Sequence, residues 1–266
     1  MRNIKADTLV VTATLGCRDS LDRTIRSVKE NGGDRVNHVI TCPGNILKNL
    51  KKKYPFLEVI PEPEEKNGIY SALNNVIRKY AKDYKYVTFI NDDDYWLPGF
   101  KKLFLTLDGN QELDAVYGKT LFVSEDNKTI GEQTSSPRYK SFKVLLTRKV
   151  VLFTQQATLI KSQVFYKTGG FDENYKLIAD SKFWVEAIAL GVKFHYINIL
   201  AAAYTLQEGQ LSSDKRVQNE EYTKLLNENF FQSISLSEVI FENLIFRLYN
   251  TSIYFKRIFQ KFNIIN

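Results

Sequence analysis

The chain has 266 residues with 37 Lys+Arg against 30 Asp+Glu, a formal net charge of +7, and is 44% hydrophobic and 25% charged. That length holds one large α/β domain, or one domain with an appendage, and the composition excludes disordered, fibrous and disulfide-stapled classes. The basic balance points to a polyanionic neighbour: nucleic acid, an anionic membrane face or a nucleotide.

Taken in order, Thr8 to Thr14 is β-branched and apolar, a buried first strand, and Ser20 to Glu30 follows as a helix with Ser20 as N-cap. Val36 to Cys42 is a second strand, Ile46 to Tyr54 a lysine-rich helix, and Leu57 to Ile60 a third strand. The spacing of Ile69, Ala72, Leu73, Val76 and Ile77 predicts a helix over 68–83, handing over to a strand at Tyr86–Ile90. This β-α-β-α-β-α-β order with short connections predicts a doubly wound, mostly parallel sheet. Beyond it, Phe100–Leu107 is helical, Ala115–Phe122 a strand, Asp126-Asn127 a turn back to Thr129-Ile130, and 131–139 irregular. Gln155–Lys161 reads as a strand, Ser162–Thr168 and Asp180–Leu190 as helices, and Phe194–Tyr204 as a strand. A loop over 207–214 carries Gly209, and helices cover Asn219–Asn229 and Ser237–Phe262.

The chemistry concentrates in Tyr84 to Trp96. A short apolar strand runs into Asn91-Asp92-Asp93-Asp94, and in parallel sheets ligands sit beyond the carboxyl ends of strands. Three packed carboxylates repel one another, which a hard divalent cation relieves; the alternative is a solvated acidic turn. The expected site is a metal-assisted one for a phosphate-bearing ligand. His38 and His195 are too few and too far apart for a histidine metal site, and Cys17 and Cys42 read as buried free thiols in a reducing compartment. No signal peptide is expected from the start, and no apolar run reaches about 18 residues, so no bilayer span is expected. The lysines of 48–53 and 140–149 lack the aromatic interleaving of a strand-binding surface, so nucleic acid is not expected as a partner.

The tail carries Ile240, Phe241, Leu244, Ile245, Leu248, Phe255, Ile258, Phe259 and Phe262 at helical spacing, with Arg247, Lys256, Arg257 and Lys261. Such a segment docks on the domain or on a second subunit, or lies as a basic amphipathic helix on an anionic membrane; the net charge favours the membrane.

Four segments resemble the inverting family-2 glycosyltransferases with the GT-A fold, in the bacterial branch that builds lipopolysaccharide, capsule or exopolysaccharide. They are Val10–Thr14 before Arg18; Gly68-Ile-Tyr-Ser-Ala-Leu-Asn74; Phe89-Ile-Asn-Asp-Asp-Asp94, a form of the Asp-x-Asp signature; and Gln156-Ala-Thr158 through Gly169-Gly-Phe-Asp-Glu173 to Ala179-Asp180. They cover roughly residues 8–215, which implies a GT-A domain over 1–215 and a helical extension over 216–266, membrane-associating or packed in a homodimer.

The resemblance implies transfer from a nucleoside-diphosphate sugar to a glycan or lipid-linked acceptor in surface polysaccharide synthesis. The cofactor would be Mn²⁺ or Mg²⁺ and the location the inner, cytoplasmic membrane face. Asp94 matches the metal-ligating aspartate, with Asp92 the second candidate, and Asp180 matches the base. Thr12, Thr14, Arg18, Gly68, Tyr70, Asn74, Asn91, Asp92 and Asp93 fall on the nucleotide side, and Gln156, Trp96 and Asp172 on the substrate side. Taken alone, Asp180 reads as a helix cap, Gln156 as a buried strand-end amide, Tyr70 as core, and Arg138 and Lys161 as solvated charges. The chain departs from the family's pattern in three places: Ile40–Gly44 has no carboxylate after the second strand, Lys66-Asn67 stand where an aspartate often precedes Gly-Ile-Tyr, and Ser71 replaces another. These put a uridine donor in question. Two rivals remain: a sugar nucleotidyltransferase, which needs a phosphate loop where only Gly16 and Arg18 stand, and a non-catalytic partner with a degenerate domain.

Overall fold

The structure is a computed structural model that describes residues 6–65, 68–207 and 214–261. Lys66, Asn67, Gly209 with most of the expected 207–214 loop, and Phe262 lie outside the described residues, as do the side chains of Phe259 and Lys261.

The first half follows the predicted alternation. Strand β1 (Thr8–Ala13) leads to α1 (Leu21–Gly32), β2 (Val36–Cys42), α2 (Leu47–Lys53), β3 (Glu58–Pro61), α3 (Ile69–Tyr80) and β4 (Tyr86–Phe89). Leu9, Val10 and Val11 are all fully buried, as a strand covered on both faces requires. Helix α3 buries Ala72, Leu73, Val76 and Ile77, and it starts at Gly68, whose φ of 114° costs any residue with a Cβ.

The second half departs from it. It comprises β5 (Tyr95–Trp96), α4 (Phe100–Gly109), β6 (Ala115–Ser124), β7 (Thr129–Glu132), α5 (Phe142–Leu146), β8 (Thr158–Lys161), α6 (Ser162–Thr168), α7 (Ala179–Ala189) and β9 (Phe194–Leu206). Three more helices close the chain: α8 (Lys215–Leu226), α9 (Leu236–Tyr249) and α10 (Thr251–Lys261). The sheet order is β3-β2-β1-β4-β8-β6-β9-β5, with β7 on β6. Four of its eight pairings are parallel and four antiparallel, so the expectation of a mostly parallel sheet is corrected. The cause is β8. Between β6 and β8 the chain makes a hairpin and a short helical excursion instead of a full crossover helix, and it re-enters the sheet reversed between β4 and β6. The expected strand over 155–161 is correspondingly shortened, its first three residues forming a 3₁₀ turn.

Three cores pack against the sheet, the smallest joining Leu21 and Ile25 of α1 to Leu50 of α2 and Val59 of β3. The largest joins α3 and α7 to residues from the C-terminal part: Tyr222, Leu225, Phe231 and Phe246. A second stacks Trp96 on Phe100 at 3.7 Å with Phe104 edge-on. The tail breaks into two helices at Asn250, a buried side chain that donates to the Ser135 and Phe246 carbonyls and accepts from the Ser135 amide. Its inner side docks, while Ile240, Phe241, Leu244, Leu248, Phe255 and Ile258 face outward. None of the described helices is long and apolar enough to cross a membrane. The expected pair of buried thiols is corrected as well: Cys42 is buried, and burial pushes it up to about 11, but Cys17 on the open loop after β1 is exposed.

Candidate active site

The acidic run forms because β4 ends in the buried interior and β5 immediately pairs with β9, Tyr95 opposite Ala203 and Trp96 opposite Ala202. Asn91 to Asp94 must therefore turn within the protein between two strands. All three carboxyl-bearing residues are buried, Asp94 completely. Backbone groups of the turn are held from α1 and β9. Ser20 Oγ donates to the Asp92 carbonyl (2.9 Å), Thr24 Oγ1 to that of Asp94 (2.6 Å), and Arg23 Nη2 and Thr205 Oγ1 to that of Asp93 (2.8 and 2.5 Å). Ser20 thus makes no side-chain cap to α1, the role expected of it; its hydroxyl is used on the turn.

The carboxylates have different partners. Asp92 accepts from Thr14 Oγ1 at 2.5 Å and from Arg18 Nη1 at 3.4 Å. Asp93 pairs with Arg18 and accepts from Gln207 Nε2 at 2.8 Å. Asp94 accepts from the Thr205 amide at 2.9 Å and from Asn91 Nδ2 at 3.2 Å. Burial raises the Asp92 carboxyl above its ordinary range, opposed by the Thr14 bond and the Arg18 charge. Burial, with the Asp93 charge, raises Asp94 well above it. Two guanidinium groups meet the turn, Arg18 at the Asp92 and Asp93 carboxylates and Arg23 at the Asp93 carbonyl, while Asp94 is met by the neutral N–H groups of Thr205 and Asn91.

Asp180 stands in the first turn of α7. Ser181 N–H donates to its Oδ1 at 2.8 Å and Tyr70 OH at 3.3 Å; Tyr70 also lies 3.1 Å from the Leu177 carbonyl. Burial lifts the Asp180 carboxyl to about 6, partly offset by the Ser181 and Tyr70 bonds. Tyr70 is at the start of α3, and α3 carries the chain from the carboxyl end of β3 back to the start of β4. Tyr70 and Asp180 therefore lie on the same rim of the sheet as the acidic run.

The structure brings together Thr14, Arg18, Asn91, Asp92, Asp93 and Asp94 in one cluster, and Tyr70 with Asp180 in another. Thr12 is elsewhere: fully buried, its hydroxyl lies 2.9 Å from Nε2 of His38, whose imidazole burial pushes down to about 3. Asn74 is occupied in holding the loop after α6, bonding Phe171 through both its amide and carbonyl and reaching Glu173. Gly170 of that loop, at φ 91°, has no room for a Cβ, which would sit 2.8 Å from Asn74 Oδ1. Trp96 is in the core stack, Gly68 is exposed at the start of α3, and Asp172 accepts from Asn174 and lies 3.8 Å from Lys182. Gln156 is fully buried, and neither polar atom of its amide has a hydrogen-bond partner. Arg138 pairs with Glu242, and Lys161 donates to the Gln111 carbonyl.

Four contributors escape a reading by motif: Arg23, Thr24, Thr205 and Gln207. Thr205 lies at the end of β9 and Gln207 just past it, so the rule that ligands gather at strand carboxyl ends was the available signal. Arg23 and Thr24 read only as helix surface, because their targets are backbone carbonyls some 70 residues away. Among the described residues, no three His, Cys, Asp or Glu side chains are arranged to hold a metal ion. The donor chemistry still fits a hard cation: the side chains that crowd here are carboxylates, and a bound cation would favour the ionised form that burial opposes at Asp92 and Asp94.

Several solved structures share the fold. S. aureus TarS 1-349, solved in complex with UDP-GlcNAc, superimposes with a TM-score of 0.64 at 13% identity, over 88% of this chain and 69% of that one. The mannosyltransferase PcManGT from Pyrobaculum calidifontis, solved with GDP-Man and Mn²⁺, gives 0.60 at 13% identity, over 88% and 67%. Against S. aureus TarS in the longer form, this chain spans 41% of the length. No curated protein matches the sequence. The model of glycosyl transferase family 2 matches residues 9–169, more than half of the chain and all of the acidic cluster's strand and turn. The chain belongs to glycosyl transferase family 2 and is a glycosyltransferase.

Proposed function

We propose that the protein is an inverting, metal-assisted transferase that moves a sugar from a nucleoside-diphosphate sugar to a glycan or lipid-linked acceptor in surface polysaccharide synthesis. The observation that carries this is the placement on one sheet rim of three crowded carboxyls at the acidic turn and of a separate carboxyl, Asp180, lifted to about 6.

Asp180 has the character of a general base. A carboxyl near 6 is ionised at neutral pH yet basic enough to accept the acceptor hydroxyl's proton as attack proceeds. Tyr70 and the Ser181 amide hold one of its oxygens, which orients the other. On the donor side, Thr14, Arg18 and Asp93 bind and orient the nucleotide, and Asp92 and Asp94 would hold a Mn²⁺ or Mg²⁺. When bound, that ion neutralises charge on the departing diphosphate. Gln156, an amide with both ends unsatisfied, is a candidate for a sugar hydroxyl. The nucleotide sugars of TarS and PcManGT support the donor class.

The outward apolar residues of α9 and α10, with Arg247, Lys256 and Arg257 beside them, support attachment of a peripheral enzyme to an anionic, cytoplasmic membrane face. A homodimer through the same face is the competing use of it.

Calorimetry with UDP, GDP, dTDP and CMP, each with and without Mn²⁺, tests the reading. One diphosphate should bind tightly and lose that affinity with EDTA. Absence of binding by all four with metal present would leave a degenerate domain acting through its tail.

A further inference from the structure

The turn that delivers Asp180 is built from outside the family-matched segment. Residues 176–178 lead into α7, and their amides face no carbonyl of the preceding turn, as at any helix start. Here they converge on one side chain of α8. Glu221, buried, accepts from the amides of Lys176 (2.5 Å), Leu177 (2.9 Å) and Ile178 (3.1 Å), using both carboxylate oxygens. The same C-terminal part grips the turn again through Glu228, which accepts from Tyr175 OH (2.7 Å) and Lys182 Nζ (2.8 Å). A buried carboxylate is costly unless several donors meet it, and three aligned amides are such a set.

We propose that Glu221 is the positioning residue of the Asp180 base: it locks the 176–178 turn, and its charge faces Asp180 across that turn. This rests on the reading of Asp180 as base. The groups facing Asp180 are Tyr70 from α3, the Ser181 amide of its own helix, and Glu221 and Tyr222 from α8. Tyr70 and Ser181 favour the ionised form and Glu221 opposes it. Glu221 therefore has two separable effects: geometry, which supports turnover, and charge, which sets the pH at which the base ionises.

The test uses the full chain carrying Glu221→Gln or Glu221→Asp. Turnover is read on the sugar donor of whichever nucleotide calorimetry selects, and amide hydrogen exchange on residues 175–181. Glu221→Gln should release protection at Lys176, Leu177 and Ile178 while β1 and α3 stay protected. Its kcat should fall about tenfold to a hundredfold, with donor KM changed less than about twofold. The acid limb of its pH profile should move to lower pH, because the repelling charge is gone. Glu221→Asp keeps the charge with a shorter reach, so it should lose kcat yet keep the acid limb in place. Unchanged exchange and kcat in Glu221→Gln, or an acid limb that moves equally in both variants, would overturn the proposal. If Glu221→Gln does not fold, Glu221→Asp decides alone, and parental kcat with parental exchange overturns it. Asp180→Asn separates the two readings: if that variant turns over donor at the parental rate, the base reading falls and Glu221 has nothing to position.

Discussion

The acidic turn after β4 and the start of α7 both present aspartates on one rim of the sheet, and they differ in their company: three carboxyls crowd together at the turn, and one stands at the start of α7. At the turn every carboxylate meets two named donors and every backbone carbonyl from Asp92 to Asp94 is held. At α7 the carboxyl has a single N–H and a phenol on one oxygen. Three carboxylates placed together need counter-charge, so the turn is suited to hold a cation and its phosphates. At Asp180 burial lifts the carboxyl to about 6 while two donors favour its ionised form, so it is charged at neutral pH and suited to take a proton. On the proposed reading, the same residue type takes two tasks through its neighbours.

The most severe way to break the comparison is Asp180→Asn. An amide cannot accept the proton, and kcat should drop about 10²- to 10⁴-fold with nucleotide binding intact by calorimetry. Loss of binding in parallel would erase the division of labour. Asp94→Asn is next. The amide carbonyl still accepts from the Thr205 amide, so the fold should persist by thermal melting. Mn²⁺-dependent diphosphate affinity should fall by roughly tenfold or more, since one of few charged ligands is gone.

The pH profile sharpens the same contrast. A raised carboxyl pKa means the unfolded or solvated group ionises first, and at Asp180 the active ionised form appears only as pH rises through about 6. Near pH 5 about a tenth of the base is ionised, so kcat should be roughly tenfold below its plateau. A rate flat from pH 5 to 8 would show that Asp180 does not act in the rate-limiting step. The smallest effect is expected at the tail. Phe241→Ser with Leu244→Ser alters two exposed side chains, so stability should change by less than about 0.5 kcal/mol by denaturant melt. Co-sedimentation with anionic vesicles should weaken, while a change in mass by light scattering instead would assign this face to a second copy.

Much was legible in the sequence because it was local. The alternation from β1 to β4 follows hydrophobic periodicity and turn residues, and β2 falls on Val36–Cys42 as read. Asn91–Asp94 at a strand's carboxyl end, and Asp180 in the first turn of a helix, also follow from runs of ten or so residues. The reversal of β8, the extra strand at Tyr95–Trp96 and the break at Asn250 were not legible. Each is decided by partners far along the chain: β4 and β6, Ala202–Ala203, and Ser135. Thr12 and Trp96 show the same limit. Their types suit a ligand contact, yet the strand's pleat turns Thr12 to His38, and Trp96 packs on Phe100. By itself the sequence determined which segments become strands and helices and where acidic chemistry gathers, since backbone preference and amphipathic period act over a few residues. Only the tertiary structure decided which carboxyls crowd together and which stands apart near the start of α7, because burial, long-range donors such as Arg23 and Thr205, and an acceptor such as Glu221 exist only once the chain has closed on itself.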